Sequence, residues 1–264
     1  MGWAKYREDI VSRWVNDSPV RHFSKADATP LPRRGTSVPT QEKHMSKLKD
    51  FTMSSARPLP VIVLADVSGS MTANGKIDVL NEAISQMITT FAEEDDTRAE
   101  IHVSVITFGG GGVSVHKPLR PARDTRWEPM SASGRTPMGG AFELARTMIE
   151  DRQAVSSRAY CPTLVLVSDG EPNDDWRTPL ASLLKSERAS KAARFAMGIG
   201  PDADRETLTA FLAKDDARVF DAHEAREIKN FFRWVTMSVT TRSRSANPNS
   251  VVMVEPSGLD EFDF

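Results

Sequence analysis

The sequence predicts a doubly wound α/β fold, in which a mostly parallel six-stranded sheet carries helices on both faces. From residue 59 onward, strand-like apolar runs alternate with amphipathic helix patterns. The first run, residues 61–64 (VIVL), is continuously apolar, as is typical of a strand covered on both faces. A chain of 264 residues with 39% hydrophobic residues is long enough for one large domain or for a medium domain with appendages.

The remaining elements follow in a regular order. Apolar residues at helical spacing from Ile77 to Phe91 predict the first helix. Residues 100–108 alternate like a half-buried strand, and the glycine run 109–112 then leads into residues 113–119, which predicts a hairpin at a sheet edge. The other predicted elements are a helix near 139–151, a strand over 163–169, a helix near 179–190, a strand over 193–200, a short helix near 204–213, a weak strand at 218–220 and a last helix containing residues 228–239.

Charge and composition divide the chain into three parts. Residues 1–57 contain 11 Lys and Arg against 6 Asp and Glu, whereas residues 58–264 contain 23 against 30. We therefore expect a basic N-terminal extension over residues 1–57 (a short helix and an extended arm), a main domain over 58–241, and a polar, then apolar-acidic tail over 242–264. Trp3 and Trp14 share one face of the predicted N-terminal helix, which either binds a partner or packs on its own domain.

Composition excludes several functional classes. A formal charge of −2 and a pI of about 6.2 argue against general nucleic-acid binding. The sequence has no apolar run long enough for a membrane span and no secretory signal pattern, so we expect a cytoplasmic protein without membrane contact. A single cysteine, Cys161, fits a reducing compartment.

Acidic and hydroxyl side chains gather where the predicted strands end. Asp66, Ser68 and Ser70 follow the first strand, Asp169 follows the strand over 163–169, and Thr136 lies in a loop that opens a helix. Because open parallel sheets bind ligands at the carboxyl ends of their strands, we expect these side chains to form one site. An all-oxygen set of this kind suits a hard divalent ion such as Mg²⁺.

At these residues the sequence resembles the von Willebrand factor A family, whose metal-ion-dependent adhesion site has the pattern Asp-x-Ser-x-Ser, a distant Thr and a distant Asp. The resemblance implies a sheet order of 3-2-1-4-5-6 with one antiparallel edge strand. It also implies that Asp66, Ser68, Ser70, Thr136 and Asp169 hold Mg²⁺, with Mn²⁺ or Ca²⁺ as substitutes, and leave one position for an acidic side chain of a partner protein.

Three segments carry a narrower resemblance, to bacterial tellurite-resistance-type (TerY-like) proteins of this family. They are RPLPVIVLADVSGSM at 57–71, SDGEP at 168–172 and FFRWVTMSV at 231–239. This resemblance implies association with a PP2C-type protein phosphatase and a protein kinase in a stress-response or phage-defence (antiviral) module. The N-terminal extension and the acidic tail depart from the compact pattern of that group.

Several residues near the predicted site admit two interpretations. Arg135 either steers an acidic partner or hydrogen-bonds a loop carbonyl. Glu171 is a second candidate for partner contact, but the pattern around it, as around Asp174 and Asp175, favours a solvated turn. The terminal Phe262 and Phe264 form either a docking peptide or a frayed end.

The leading hypothesis is a metal-dependent protein-interaction module rather than an enzyme. The enzyme alternative is a metal-dependent phosphatase-like hydrolase, which needs a second Asp two residues after Asp66, where this chain has Ser68; no suitably placed lysine is evident either. A third hypothesis is nucleic-acid binding through the basic N-terminal arm. The oligomeric state stays open.

Overall fold

The structure, a computed structural model, describes residues 56–94, 98–214 and 217–250. The sheet has six strands in the order β3-β2-β1-β4-β5-β6, and every neighbouring pair is parallel except β2 and β3. This arrangement confirms the predicted fold class and strand order. The strands are β1 Arg57–Val67, β2 Ala99–Gly109, β3 Gly112–Pro121, β4 Thr163–Ser168, β5 Ala193–Ile199 and β6 Phe220–Ala222.

Within the described residues, five α-helices cover the two faces of the sheet. They are α1 Lys76–Ala92, α2 Met138–Glu150, α3 Arg177–Lys185, α4 Arg205–Leu212 and α5 Ala225–Arg244. Helices α1 and α5 pack on one face, and α2, α3 and α4 pack on the other. The predicted helix near 179–190 is shorter than expected, because Ser186 has extended backbone angles and a short 3-10 turn follows at Ala189–Lys191.

Strand β1 lies at the centre and contributes to both cores. Val61 and Val63 belong to the core under α1 and α5, whereas Ile62 and Leu64 belong to the core under α2, α3 and α4. All four side chains are fully buried, which explains why this strand is apolar at every position rather than alternating.

The strand order brings the carboxyl ends of β1 and β4 together. Chain order proceeds from β1 to one side of the sheet through β2 and β3, and then returns to β4 on the other side of β1. The register pairs Ala65 with Val167, so the residues after these two strands start side by side. This reversal is the position at which doubly wound sheets bind ligands.

No helix in the three described segments is long and apolar enough to cross a membrane. The predicted N-terminal helix with Trp3 and Trp14, the basic arm and residues 251–264 lie outside the described residues.

Candidate metal site

The Asp66 side chain is fully buried at the end of β1. The backbone N–H of Ser68 donates to Asp66 Oδ1 at 2.8 Å, and the Ser168 hydroxyl donates to Oδ2 at 2.5 Å. Burial raises the pKa of the Asp66 carboxyl above its ordinary value, although these hydrogen bonds act in the opposite direction and the charge of Asp169 adds to the increase. Burial of this anion would be eased by a nearby cation.

Ser68 and Ser70, in the loop after β1, connect this region to Asp169 in the loop after β4. Ser68 Oγ lies 3.0 Å from Ser70 Oγ, and the Ser70 hydroxyl donates to Asp169 Oδ1 at 2.6 Å. Ser68 and Asp169 are buried, whereas Ser70 is exposed. The hydroxyls therefore form a short chain of oxygen atoms that leads from the end of β1 to the end of β4 and reaches solvent at Ser70.

The loop before α2 is hydrogen-bonded to both neighbouring loops. The N–H of Gly69 donates to the carbonyl of Gly134 at 3.0 Å, and the N–H of Asn173 donates to the carbonyl of Thr136 at 3.1 Å. Gly134 has a φ of +71°, and a Cβ there would lie 2.3 Å from Gly110 Cα, so only glycine fits. Thr136 is 8% exposed, and the two backbone hydrogen bonds hold its loop beside the loops that follow β1 and β4.

The structure adds a lysine that the sequence analysis missed. Lys76 Nζ, on the first residue of α1, donates to Asp169 Oδ2 at 2.8 Å. The expectation that no lysine is suitably placed is therefore wrong. Nothing in the local sequence signals this contact, because a lysine in the first turn of a helix is typical of a solvated face, and the two residues are 93 positions apart.

A second missed residue is Ser168, whose hydroxyl bonds to Asp66 from a position that the sequence pattern assigns to the strand. Asp174 also differs from the favoured solvated turn, whereas Asp175 is exposed, as that interpretation expects. The Asp174 carboxylate accepts hydrogen bonds from the N–H groups of Gly139 and Gly140 at 2.9 Å and caps α2, while Asp175 accepts bonds at the start of α3.

An open cavity of about 640 Å³ adjoins these residues. Its walls come from the loops after β1, β4 and β5, and include Ser70, Lys76, Asp169, Glu171, Asp202 and Glu206. Glu171 is exposed at its side, and Arg135 is exposed on the neighbouring loop. A ligand in this cavity would meet the hydroxyl chain directly.

The donor set fits a hard divalent ion. Two carboxylates and three hydroxyls supply only oxygen, which Mg²⁺, Mn²⁺ and Ca²⁺ prefer, and no thiol or imidazole is present among them. Among the described residues no group of three or more His, Cys, Asp or Glu could hold a metal ion. A metal here would therefore depend on the hydroxyls of Ser68, Ser70 and Thr136 as well as on the acids.

Fold and site together define the class of protein. It is a doubly wound domain with an oxygen-rich candidate metal site at the point where the strand order reverses. The family model of the von Willebrand factor type A domain matches residues 61–234, and the chain belongs to this family. The chain is 28% identical over 222 residues to the magnesium-chelatase 60 kDa subunit of Rhodobacter capsulatus, a match that covers 81% of this chain and 37% of that protein. It therefore spans well under half the length of this curated relative.

Two solved structures share the fold at low sequence identity. A von Willebrand factor type A protein from Catenulispora acidiphila is 20% identical, with a TM-score of 0.54 over 69% of this chain and 42% of that one. Proximal thread matrix protein 1 from the mussel byssus, in a structure with a zinc-occupied metal-ion-dependent adhesion site (MIDAS) motif, is 17% identical. Its TM-score is 0.52 over 68% of this chain and 47% of that one.

Proposed function

We propose that this chain is a metal-dependent protein-interaction module. In this proposal Asp66, Ser68, Ser70, Thr136 and Asp169 hold Mg²⁺, and an acidic side chain of a partner protein completes the coordination of the ion. The observation that carries it is the hydrogen-bonded chain from Ser68 through Ser70 to Asp169, because it places ligand-type oxygens at the mouth of a cavity.

Similarity to known proteins supports a bound divalent metal ion, and the similar proteins differ in which ion their names mention. Von Willebrand factor A domains commonly act in metal-dependent protein binding, and the mussel protein with this fold has zinc in its MIDAS motif. The bacterial relative is a magnesium-chelatase subunit. We propose Mg²⁺ for this chain because the donor set consists of oxygen alone.

Each part of the site has a separate task in this proposal. The bound ion would act as a Lewis acid that accepts a carboxylate. Ser168 and the Ser68 N–H hold the Asp66 carboxylate in one orientation, and Ser70 holds Asp169. The exposed Arg135 and Glu171 would contact the partner around the ion, with Trp3 and Trp14 as further candidate contacts.

We propose binding rather than turnover as the output. Ser68 occupies the position at which the phosphatase-like alternative needs a second Asp, and a serine cannot serve there as a general acid. The contact between Lys76 and Asp169 does favour this alternative in one respect, since it supplies the lysine that seemed absent. Phosphate release from p-nitrophenyl phosphate that is lost in Asp66→Ala would favour the hydrolase.

The narrower setting is also a proposal. The segments at 57–71, 168–172 and 231–239 support a cytoplasmic bacterial stress-response, tellurite-resistance or phage-defence complex, with a PP2C-type phosphatase or a protein kinase as partner. The nucleic-acid alternative stays a prediction, because the basic arm lies outside the described residues.

A pull-down from the native host tests the proposal. Tagged wild-type protein is compared in Mg²⁺ and in EDTA, beside Ser70→Ala, which removes an exposed hydroxyl of the site, and Ser182→Ala, which removes an exposed hydroxyl of α3. We expect proteins that wild type and Ser182→Ala retain in Mg²⁺ only, and that Ser70→Ala loses. Identical captures in all samples would contradict metal-dependent binding.

A further inference from the structure

The ion pair between Lys76 and Asp169 differs from the other ion pairs of the described residues. Lys76 Nζ lies 2.8 Å from Asp169 Oδ2, and the exposed fractions of the two side chains are 18% and 0%. In the other pairs that join an acid to Lys or Arg, the carboxylate side chain is 9% to 77% exposed. The charge of the buried Asp169 carboxylate is therefore compensated by Lys76, with one hydrogen bond from the Ser70 hydroxyl, rather than by water.

The ammonium has a defined place in the fold. Lys76 begins α1, and its side chain extends across the end of β5 to the end of β4. A Cβ built on Gly200 would lie 3.6 Å from Lys76 Nζ and 4.0 Å from its Cε, which is van der Waals contact. The lysine side chain thus lies beside Gly200, and Lys76 itself lines the cavity.

The site contains more negative than positive charge. Asp66 and Asp169 are 0% and 1% exposed, and Lys76 is the one cation that pairs with either of them among the described residues. Two ionised carboxylates and one ammonium give a formal charge of −1, which a divalent ion would change to +1. The ammonium and the divalent ion would therefore share Asp169 as a counter-charge and repel each other.

We infer that Lys76 is the built-in counter-ion of the metal-free site, and that its charge lowers the affinity of the site for divalent ions. This inference rests on the proposed function, because it describes the regulation of the same metal site. With Lys76 in place the domain remains stable without metal, and the ion-loaded site has a positive charge that attracts the carboxylate of a partner.

Calorimetric titration of Mg²⁺ into the chelator-stripped full-length chain tests the inference. The variants are Lys76→Met and Lys76→Gln, of which the second keeps a hydrogen-bond donor without the charge. We expect both to bind Mg²⁺ about tenfold more tightly than wild type. Coulomb repulsion between a unit positive charge and a nearby divalent ion weakens binding of the ion by about that factor even in a water-like dielectric. Lys76→Arg, which keeps the charge, should stay within about twofold.

Lys229→Met is the matched control. Lys229 Nζ pairs with Glu82 Oε1 at 2.9 Å, but the two side chains are 39% and 63% exposed and neither lines the cavity. We expect its Mg²⁺ affinity to equal that of wild type within about twofold.

Thermal unfolding of the same proteins provides a second readout. In EDTA we expect Lys76→Met and Lys76→Gln to melt about 4 °C or more below wild type, because Asp169 loses its counter-charge, and in saturating Mg²⁺ we expect this difference to vanish. Lys229→Met should have the same melting temperature as wild type in both buffers.

Three results would overturn the inference. If wild type binds Mg²⁺ but Lys76→Gln binds it equally or more weakly, Lys76 supports Asp169 as a ligand and does not oppose the ion. If the two neutral variants have the same melting temperature as wild type in EDTA, Lys76 is not the counter-ion. If neither wild type nor any variant binds Mg²⁺, the proposed function fails, and the inference fails with it.

Discussion

The two ends of the central sheet bury charge in opposite ways. At the amino end of β4, Arg242 is 2% exposed and donates to Thr163 Oγ1 at 2.6 Å, to the carbonyl of Cys161 at 3.0 Å and twice to the carbonyl of Pro248. Among the described residues no carboxylate forms an ion pair with it. Neutral oxygens from two backbone carbonyls and one threonine hydroxyl thus satisfy this guanidinium.

At the carboxyl end the buried charges are carboxylates. Asp66 and Asp169 lie beside serine hydroxyls and one ammonium, and an open cavity begins at Ser70. Burial lowers the pKa of the Arg242 guanidinium and raises the pKa of the Asp66 carboxyl, so desolvation disfavours the charged form at both ends. At the carboxyl end this burial is combined with an opening for an external ligand. We therefore expect substitutions at the amino end to affect folding, and substitutions at the carboxyl end to affect metal binding.

The largest effect on stability should come from Arg242→Met. This variant loses four hydrogen bonds and leaves buried carbonyls without donors, so we expect the free energy of unfolding to fall by about 3 kcal/mol. Urea denaturation in EDTA measures it, and Arg233→Met, an exposed position on the same helix, is the control. An effect equal to that of the control would remove the distinction between the two ends.

Ser168→Ala should have the next largest effect, and it should change both stability and metal binding. Without the Ser168 hydroxyl the Asp66 carboxylate loses a buried donor, which we expect to cost about 1–2 kcal/mol of stability and to weaken Mg²⁺ binding about tenfold. Denaturation in EDTA and calorimetric titration measure the two effects. Ser182→Ala, on the surface of α3, should change neither, and unchanged metal affinity in Ser168→Ala would contradict the assigned role.

The difference between local patterns and contacts across the fold explains what the sequence could predict. The buried strand at Val61–Leu64 and the spacing of Asp66, Ser68 and Ser70 are local patterns, so they predicted the central strand and the first loop of the site. Lys76 and Ser168 act across the sheet, on Asp169 and Asp66 respectively. Their contacts depend on strand order and on the packing of α1, for which neighbouring residues give no signal.

A smaller effect is expected at Asp174. Its carboxylate caps α2 through the N–H groups of Gly139 and Gly140, so Asp174→Ala should lose about 1 kcal/mol of stability, while Mg²⁺ affinity should change less than about twofold. Urea denaturation and titration test both statements. Asp174→Asn keeps one acceptor oxygen and should lose less. A tenfold loss of metal affinity in either variant would place Asp174 in the site rather than at a helix cap.

The smallest effects on metal binding are expected at Arg135 and Glu171. Both side chains are exposed, and water and salt screen their charges, so Arg135→Ala and Glu171→Gln should alter Mg²⁺ affinity by less than about twofold. Titration at low and at high salt measures this. A large, salt-independent change would show that the side chain coordinates or supports the ion.

The most direct test of the central claim is to locate the ion. Crystals of the full-length chain grown with Mn²⁺ and measured at a wavelength that gives an anomalous signal would show its position. The account predicts one strong peak within bonding distance of the hydroxyls of Ser68, Ser70 and Thr136, beside Asp66 and Asp169, and no peak there for Ser70→Ala. An empty site at saturating Mn²⁺, or a peak elsewhere that Ser70→Ala retains, would contradict it.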